Sequence, residues 1–158
     1  PVENARLATP EPTPAAAAEN PVKKAEAVAA NKMPQFRWPV TGHIIEAFGS
    51  RPNGTTNDGI NLAVPEGTPI KAAEDGVVAY AGNELKGYGN LVLIRHGNGY
   101  VTAYAHASEI LVKRGEAVKR GQVIAKSGET GSVKAPELHF EIRKGATPVD
   151  PTQFLSGT

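Results

Sequence analysis

The sequence predicts an all-β domain preceded by a tether, and three observations carry that prediction. Glu137-Leu138-His139-Phe140-Glu141-Ile142-Arg143 alternates without a fault, with Leu138, Phe140 and Ile142 on one side and Glu137, His139, Glu141 and Arg143 on the other. Short β-type runs recur between glycines and prolines from residue 36 onward, and no helical period persists past Gly42. The pair Asn98-Gly99 separates two such runs, and both residues tolerate the positive φ that a tight hairpin needs. Many short strands joined by glycine turns argue an antiparallel sheet, folded as a sandwich or open barrel.

Residues 1–35 differ in character from the rest. Pro10-Glu11-Pro12-Thr13-Pro14 and the run Ala15 to Ala18 are of low complexity, and large apolar side chains are scarce. Such a segment cannot bury enough surface to offset its ordering entropy, so it reads as a flexible Pro/Ala-rich linker, stiffest in its proline part. The alanine-rich stretch 23–32 is too short to hold a helix alone in water. The folded domain is expected to span 36–155, with 156–158 as a tail.

Within the domain, His43 to Phe48 and Gly76 to Ala81 read as strands. Leu91-Val92-Leu93-Ile94 is continuously apolar, which suits a strand covered on both faces. Tyr100 to His106 alternates, and the pattern puts Tyr100, Thr102, Tyr104 and His106 together on one face, with Val101, Ala103 and Ala105 behind. Val112-Lys113-Arg114-Gly115 returns six residues later as Val118-Lys119-Arg120-Gly121, and each copy reads as a solvated turn closed by glycine.

Charge and composition exclude several classes. There are 17 basic and 16 acidic residues, so no basic field exists to hold nucleic acid. Cysteine is absent, which removes disulfides and thiolate metal sites. No apolar run is long enough to span a bilayer. The chain starts at Pro1 and not at methionine, as expected of an excised or processed piece.

Four histidines are candidates for chemistry. His43 opens a strand without an evident partner, and His96 lies at the base of the hairpin, where an imidazole satisfies backbone groups. His106 and His139 fall on polar strand faces, and with Glu137 they predict a shared groove. In Asn57-Asp58-Gly59-Ile60-Asn61, a straight strand would hold Asn57 and Asn61 about 13 Å apart. A bend at Gly59 would bring them together. Both are neutral amides, weak ligands for zinc.

Residues from about Trp38 to Leu155 resemble the LytM-type, lysostaphin-like zinc metallopeptidases that cut peptidoglycan. The resemblance runs through Asp58-Gly59-Ile60, Pro65-Glu66-Gly67-Thr68-Pro69, Gly87-Tyr88-Gly89-Asn90, His96-Gly97-Asn98-Gly99, Tyr104-Ala105-His106, Leu138-His139-Phe140-Glu141-Ile142-Arg143 and Pro148-Val149-Asp150-Pro151. It implies a lysostaphin-like antiparallel sheet of the duplicated hybrid-motif type. Active members hold zinc through His-x-x-x-Asp and the second histidine of His-x-His. Carried across, those ligands fall on Asn57, Asn61 and His139. The two catalytic histidines fall on Glu137 and His106. Two of three ligands are therefore amides and half of the catalytic pair is a glutamate. The resemblance implies no zinc, no cofactor and no hydrolysis.

The pattern looks closest to the degenerate LytM class of division factors, of the NlpD, EnvC and DipM type. That class implies activation of N-acetylmuramoyl-L-alanine amidases in the periplasm or at the outer membrane, with peptidoglycan as the second partner. The expected groove comprises Asn57, Asn61, His106, Glu137, His139 and Arg143, with Arg51 and Lys134 as charged neighbours. Rival readings are an endopeptidase using an unusual metal set of His106, His139 and Glu137 with Asp58, a passive wall-binding module, and a biotinyl- or lipoyl-type carrier. The last lacks a lysine at an exposed hairpin tip in the motif it requires.

Overall fold

The computed structural model of the protein describes residues 35–50 and 54–156. The expected linker, apart from Gln35, lies outside the described residues, and so does Arg51. In chain order the strands are β1 (Phe36–Arg37), β2 (His43–Glu46), β3 (Gly49–Ser50), β4 (Thr56–Asn57), β5 (Ile60–Ala63), β6 (Pro69–Lys71) and β7 (Gly76–Gly82). There follow β8 (Asn90–Arg95), β9 (Tyr100–Ile110), β10 (Ala117–Val118), β11 (Val123–Ser127), β12 (Glu137–Lys144), β13 (Thr147–Val149) and β14 (Leu155–Ser156). Among the described residues the only helical pieces are 3-10 turns at Gly97–Gly99 and Pro151–Gln153.

Ten strands form one sheet whose main path runs β10-β7-β8-β9-β12-β5-β2, with β11 joining β9 and β6, and β13 joining β12. The pairings within it are antiparallel. Both predicted turn devices are present. Asn98 (φ 60°) and Gly99 (φ 77°) take the left-handed backbone that turns β8 into β9. The repeated basic stretches make twin turns, in which the Lys113 N–H donates to Glu116 Oε1 and the Lys119 N–H to Gln122 Oε1, each at 3.1 Å. The first and last described strands pair in parallel, Leu155 of β14 with Phe36 of β1. The Phe36 ring packs against Tyr100 and Phe154.

Strand β12 is the spine of the sheet. Its apolar side, Leu138, Phe140 and Ile142, is fully buried in the main core with Ile60, Leu62 and Ile94. Residues directly opposite in an antiparallel pair share a face. Tyr104 opposes Phe140 and Thr102 opposes Ile142, so both lie on the core side. Ala105 opposes His139 and Ala103 opposes Glu141, so the polar side of β12 is flanked by alanines. There Leu91, Ala103 and Ala105 make a second apolar cluster with Tyr80, Tyr88 and Leu93. This corrects the expectation that Tyr104 and His106 share a face through simple alternation: Tyr104 is core, its ring 5.3 Å from Phe140.

Burying Tyr104 and Thr102 requires partners for their hydroxyls. The Ala73 N–H donates to Tyr104 Oη (2.9 Å), which is 2.7 Å from Thr102 Oγ1, itself 2.7 Å from His96 Nε2. His96 Nδ1 lies 2.7 Å from the carbonyl of Asp75. A carbonyl only accepts, so Nδ1 donates and Nε2 takes the Thr102 proton; Tyr104 then donates to Thr102. His96 is structural, as expected, although it holds the 73–75 loop and not the hairpin turn. His43 stands exposed at the sheet edge.

Gly59 sits where two strands come closest. A Cβ there would run into the carbonyl oxygen of Phe140 and stand 2.8 Å from Cγ of Glu141. Gly59→Ala must push β5 off β12, and overpacking of this kind costs about 1–3 kcal/mol. The expected result is a lower urea midpoint with an unchanged slope, and unchanged stability would show that the two strands separate freely.

Candidate functional site

The site grows from one bend. Asn57 ends β4, Asn61 lies in β5, and Asp58-Gly59 turns the chain between them. The Gly59 N–H donates to Asn57 Oδ1 (3.2 Å), which fixes the amide's orientation. Asn57 Nδ2 then donates to Asn61 Oδ1 at 3.1 Å, so the two amides meet as the bend predicted. Asn61 opposes His139 across the β5–β12 ladder. Its Nδ2 donates to Glu137 Oε2 (2.5 Å), and its Oδ1 faces His139 Nδ1 at 3.0 Å.

His139 Nε2 lies 2.7 Å from Glu141 Oε2. Arg143 Nε donates to the other oxygen of Glu141 at 2.6 Å, and its guanidinium reaches Asp58 at 3.5 Å. Tyr88 Oη donates to Glu141 Oε2 at 3.4 Å, with its ring 6.1 Å from that of His139. A continuous chain thus runs from Gly59 through both asparagines and His139 to Glu141, Arg143 and back to Asp58. Glu141 is only 2% exposed. Burial pushes its carboxyl up, but the hydrogen bonds from His139 and Arg143 outweigh this and hold it below the ordinary carboxylate value. Burial and the neighbouring Glu141 push the Tyr88 phenol up, so it stays a donor.

His106 reaches the site by a different device. It follows Ala105 in β9, so regular alternation would turn it into the core. Its φ of 68° puts it in the left-handed region. The β8–β9 register shifts between Tyr104 and Ala107, and the β9–β12 pairing reaches no further than Ala105 and His139. His106 is therefore the extra residue of a bulge, and the bulge swings its ring to the site side, 6.2 Å from the ring of His139. Two loops hold it: its N–H donates to the Tyr88 carbonyl at 2.8 Å, and Nδ1 donates to the Thr130 carbonyl at 2.7 Å.

The structure thus brings Asn57, Asn61, His106, Glu137 and His139 together, with Arg143 joined through Glu141. Lys134 is exposed and contacts none of them. Sequence reasoning missed Glu141, Tyr88 and Thr130 as members, and it named Asp58 only as an addition to the rival metal set. Alternation already placed Glu141 on the right face, but not its burial or its position at the centre of the network.

The donor set does not suit the zinc that related enzymes hold. Structural and catalytic zinc takes imidazole, thiolate or carboxylate. Asn57 and Asn61, on which the resemblance puts two of the three ligands, are neutral amides hydrogen-bonded to each other. Both nitrogens of the third, His139, face side-chain oxygens. Among the described residues no group of three or more His, Cys, Asp or Glu side chains is arranged so that it could hold a metal ion.

The sequence model of peptidase family M23 matches residues 55–151. The cell division protein DipM of Caulobacter vibrioides is 46% identical over 138 residues, covering 84% of this chain and 22% of the relative. The murein hydrolase activator NlpD of Escherichia coli is 47% identical over 120 residues, covering 76% of this chain and 31% of the relative. The chain spans less than a third of either relative. Among solved structures, the catalytic domain of the antimicrobial peptidase lysostaphin from Staphylococcus simulans superposes with a TM-score of 0.67. It is 34% identical, over 72% of this chain and 91% of that one.

Two measurements check this geometry. A left-handed residue other than glycine costs about 1 kcal/mol, so His106→Ala is expected to be less stable than His106→Gly by about that amount in urea denaturation. Equal stabilities would mean that the bulge carries no strain. Burial lowers the pKa of both His96 and His106 below the ordinary imidazole value of 6.5. The unfolded chain then binds more protons than the folded one below that value. Stability is complete above about pH 6.5 and falls as the pH drops toward the folded pKa values. Denaturation midpoints that do not fall between about pH 7.5 and 5.5 would contradict this.

Proposed function

The chain belongs to peptidase family M23, and from that membership and its amide-filled site we propose that this domain is a non-hydrolytic factor that activates N-acetylmuramoyl-L-alanine amidases on peptidoglycan in the cell envelope. The observation that carries the reading is the Asn57–Asn61 pairing at 3.1 Å, between the two residues on which the family resemblance puts two of the zinc ligands. Zinc hydrolysis needs three firm protein ligands and a bound water whose pKa falls to near 7. One imidazole with two neutral amides supplies neither the affinity nor the field. His106 alone, with nothing to polarise a scissile carbonyl, is a poor catalyst.

A scaffold that keeps its fold and groove but loses its ion acts by contact. Activation then means binding an open state of the amidase more tightly than its closed state. A preference of about 3 kcal/mol raises the open population about a hundredfold, which is ample for a switch. The name of the relative NlpD, a murein hydrolase activator, and that of DipM, a cell division protein, support this direction. Residues 36–155 form the acting unit, and residues 1–35 serve as its tether.

The experiment has two arms. Domain purified with zinc present is expected to hold no stoichiometric metal by elemental analysis, whereas Asn57→His with Asn61→Asp and Glu137→His regains it. Added to a competent amidase and dye-labelled sacculi, the wild-type domain is expected to speed dye release while releasing none alone. Release by the domain alone, abolished by chelator, would establish an endopeptidase; sedimentation with sacculi without any stimulation would leave only a wall-binding module.

A further inference from the structure

We propose that the groove contains a cation-binding subsite between Glu137 and His106, shaped to accept a basic side chain from a docking protein segment. The proposal rests on the reading that this domain works by engaging a partner, and it names the chemistry of that contact.

Two acceptors stand open there. Glu137 receives Asn61 Nδ2 on Oε2, and among the described residues Oε1 has no partner. His106 gives its Nδ1 proton to the Thr130 carbonyl, so the neutral ring presents a lone pair on Nε2. No described residue takes that lone pair, although His106 is only 6% exposed. A nearly buried ring nitrogen without a partner calls for a donor from outside. Glu137 is tied to the same corner through Asn61, which also faces His139, and the His139 ring lies 6.2 Å from that of His106. The surrounding charge has the same preference: Asp58, Glu137 and Glu141 face a single guanidinium, Arg143, which Glu141, Asp58 and the Ala146 carbonyl already occupy.

The floor beside these acceptors is apolar. Its accessible part is the half-buried ring of Tyr88, 6.1 Å from the ring of His139, and Ala105, Ala103 and Leu91 are buried beneath it. A lysine or arginine can lay its methylene stem on such a surface while its charged end reaches the two acceptors. A bare metal ion would not use this floor. A wall stem peptide carries carboxylates that the net acidic groove repels. A basic side chain on a protein segment fits both features.

The probe is N-acetyl-arginine-methylamide, a cation with neutral ends, titrated into the domain with its histidines labelled by nitrogen-15. The expected result is a saturable shift of His106 Nε2 in the direction of an accepted hydrogen bond. The neutral isostere N-acetyl-citrulline-methylamide should bind at least about tenfold more weakly, as loss of a charged hydrogen-bond partner implies. Glu137→Gln and His106→Gly should each weaken arginine binding by a similar factor, with amide spectra elsewhere unchanged. Lys119→Gln, in the turn after β10 at the opposite end of the sheet path from β5, should bind as the wild type does. Equal binding of citrulline, undiminished binding in Glu137→Gln, or tighter binding of a disaccharide-tripeptide than of the arginine probe would overturn the subsite. Arginine binding with no amidase stimulation would sink the earlier reading alone; stimulation without arginine binding would sink this one alone.

Discussion

Glu141 is a carboxylate with almost no access to water, and the site is built around satisfying it. An unpaired buried carboxylate costs several kcal/mol, enough to consume much of a domain's net stability. Here each oxygen has a close donor: Arg143 Nε on one, and His139 Nε2 with a longer contact from Tyr88 on the other. Those donors come from two places, β12 and the loop before β8. Arg143 extends the network to Asp58, in the bend that carries the two asparagines. Satisfying one charge therefore fixes the positions of β5, β12 and the loop around Tyr88 together.

The same logic explains which parts were legible. The 137–143 alternation needs only the pleat, and every apolar member is indeed in the core. Asn98-Gly99 needs only local sterics. The bend at Gly59 follows from the absence of a side chain, and the close approach of Phe140 gives the reason for that absence. Each of these rests on one residue or its immediate neighbours. The family resemblance singled out Asn57, Asn61 and His139 as one group, and the three side chains do meet.

What stayed hidden depends on three strands at once. Period-two reasoning assigned His106 to the face of Tyr104, because it assumes that every residue advances the pleat equally. A bulge breaks that assumption, and nothing in Tyr104-Ala105-His106 announces it. The left-handed backbone at His106 lies where the ladder to β8 changes register, between Tyr104 and Ala107, and just past the end of the ladder to β12 at Ala105. The burial of Glu141 was hidden for a similar reason. It depends on Gly59 and Tyr88, which are distant in sequence and become neighbours only when the sheet closes.

The identity of Asn61 follows from the same demand for satisfaction. Its side chain accepts from Asn57, faces His139, and donates to Glu137. Only an amide can both donate and accept in one fixed orientation here. An ionised aspartate in its place would still accept from Asn57 Nδ2, but it would set a second carboxylate against Glu137 with no proton between them. A divalent ion would compensate that charge; without one, the neutral isostere removes the conflict. Asn61 and Glu137 are thus two halves of one solution, and restoring an ion-binding aspartate requires removing the glutamate as well. The two amides are then what lets the bend, His139 and Glu137 share hydrogen bonds with no second carboxylate among them.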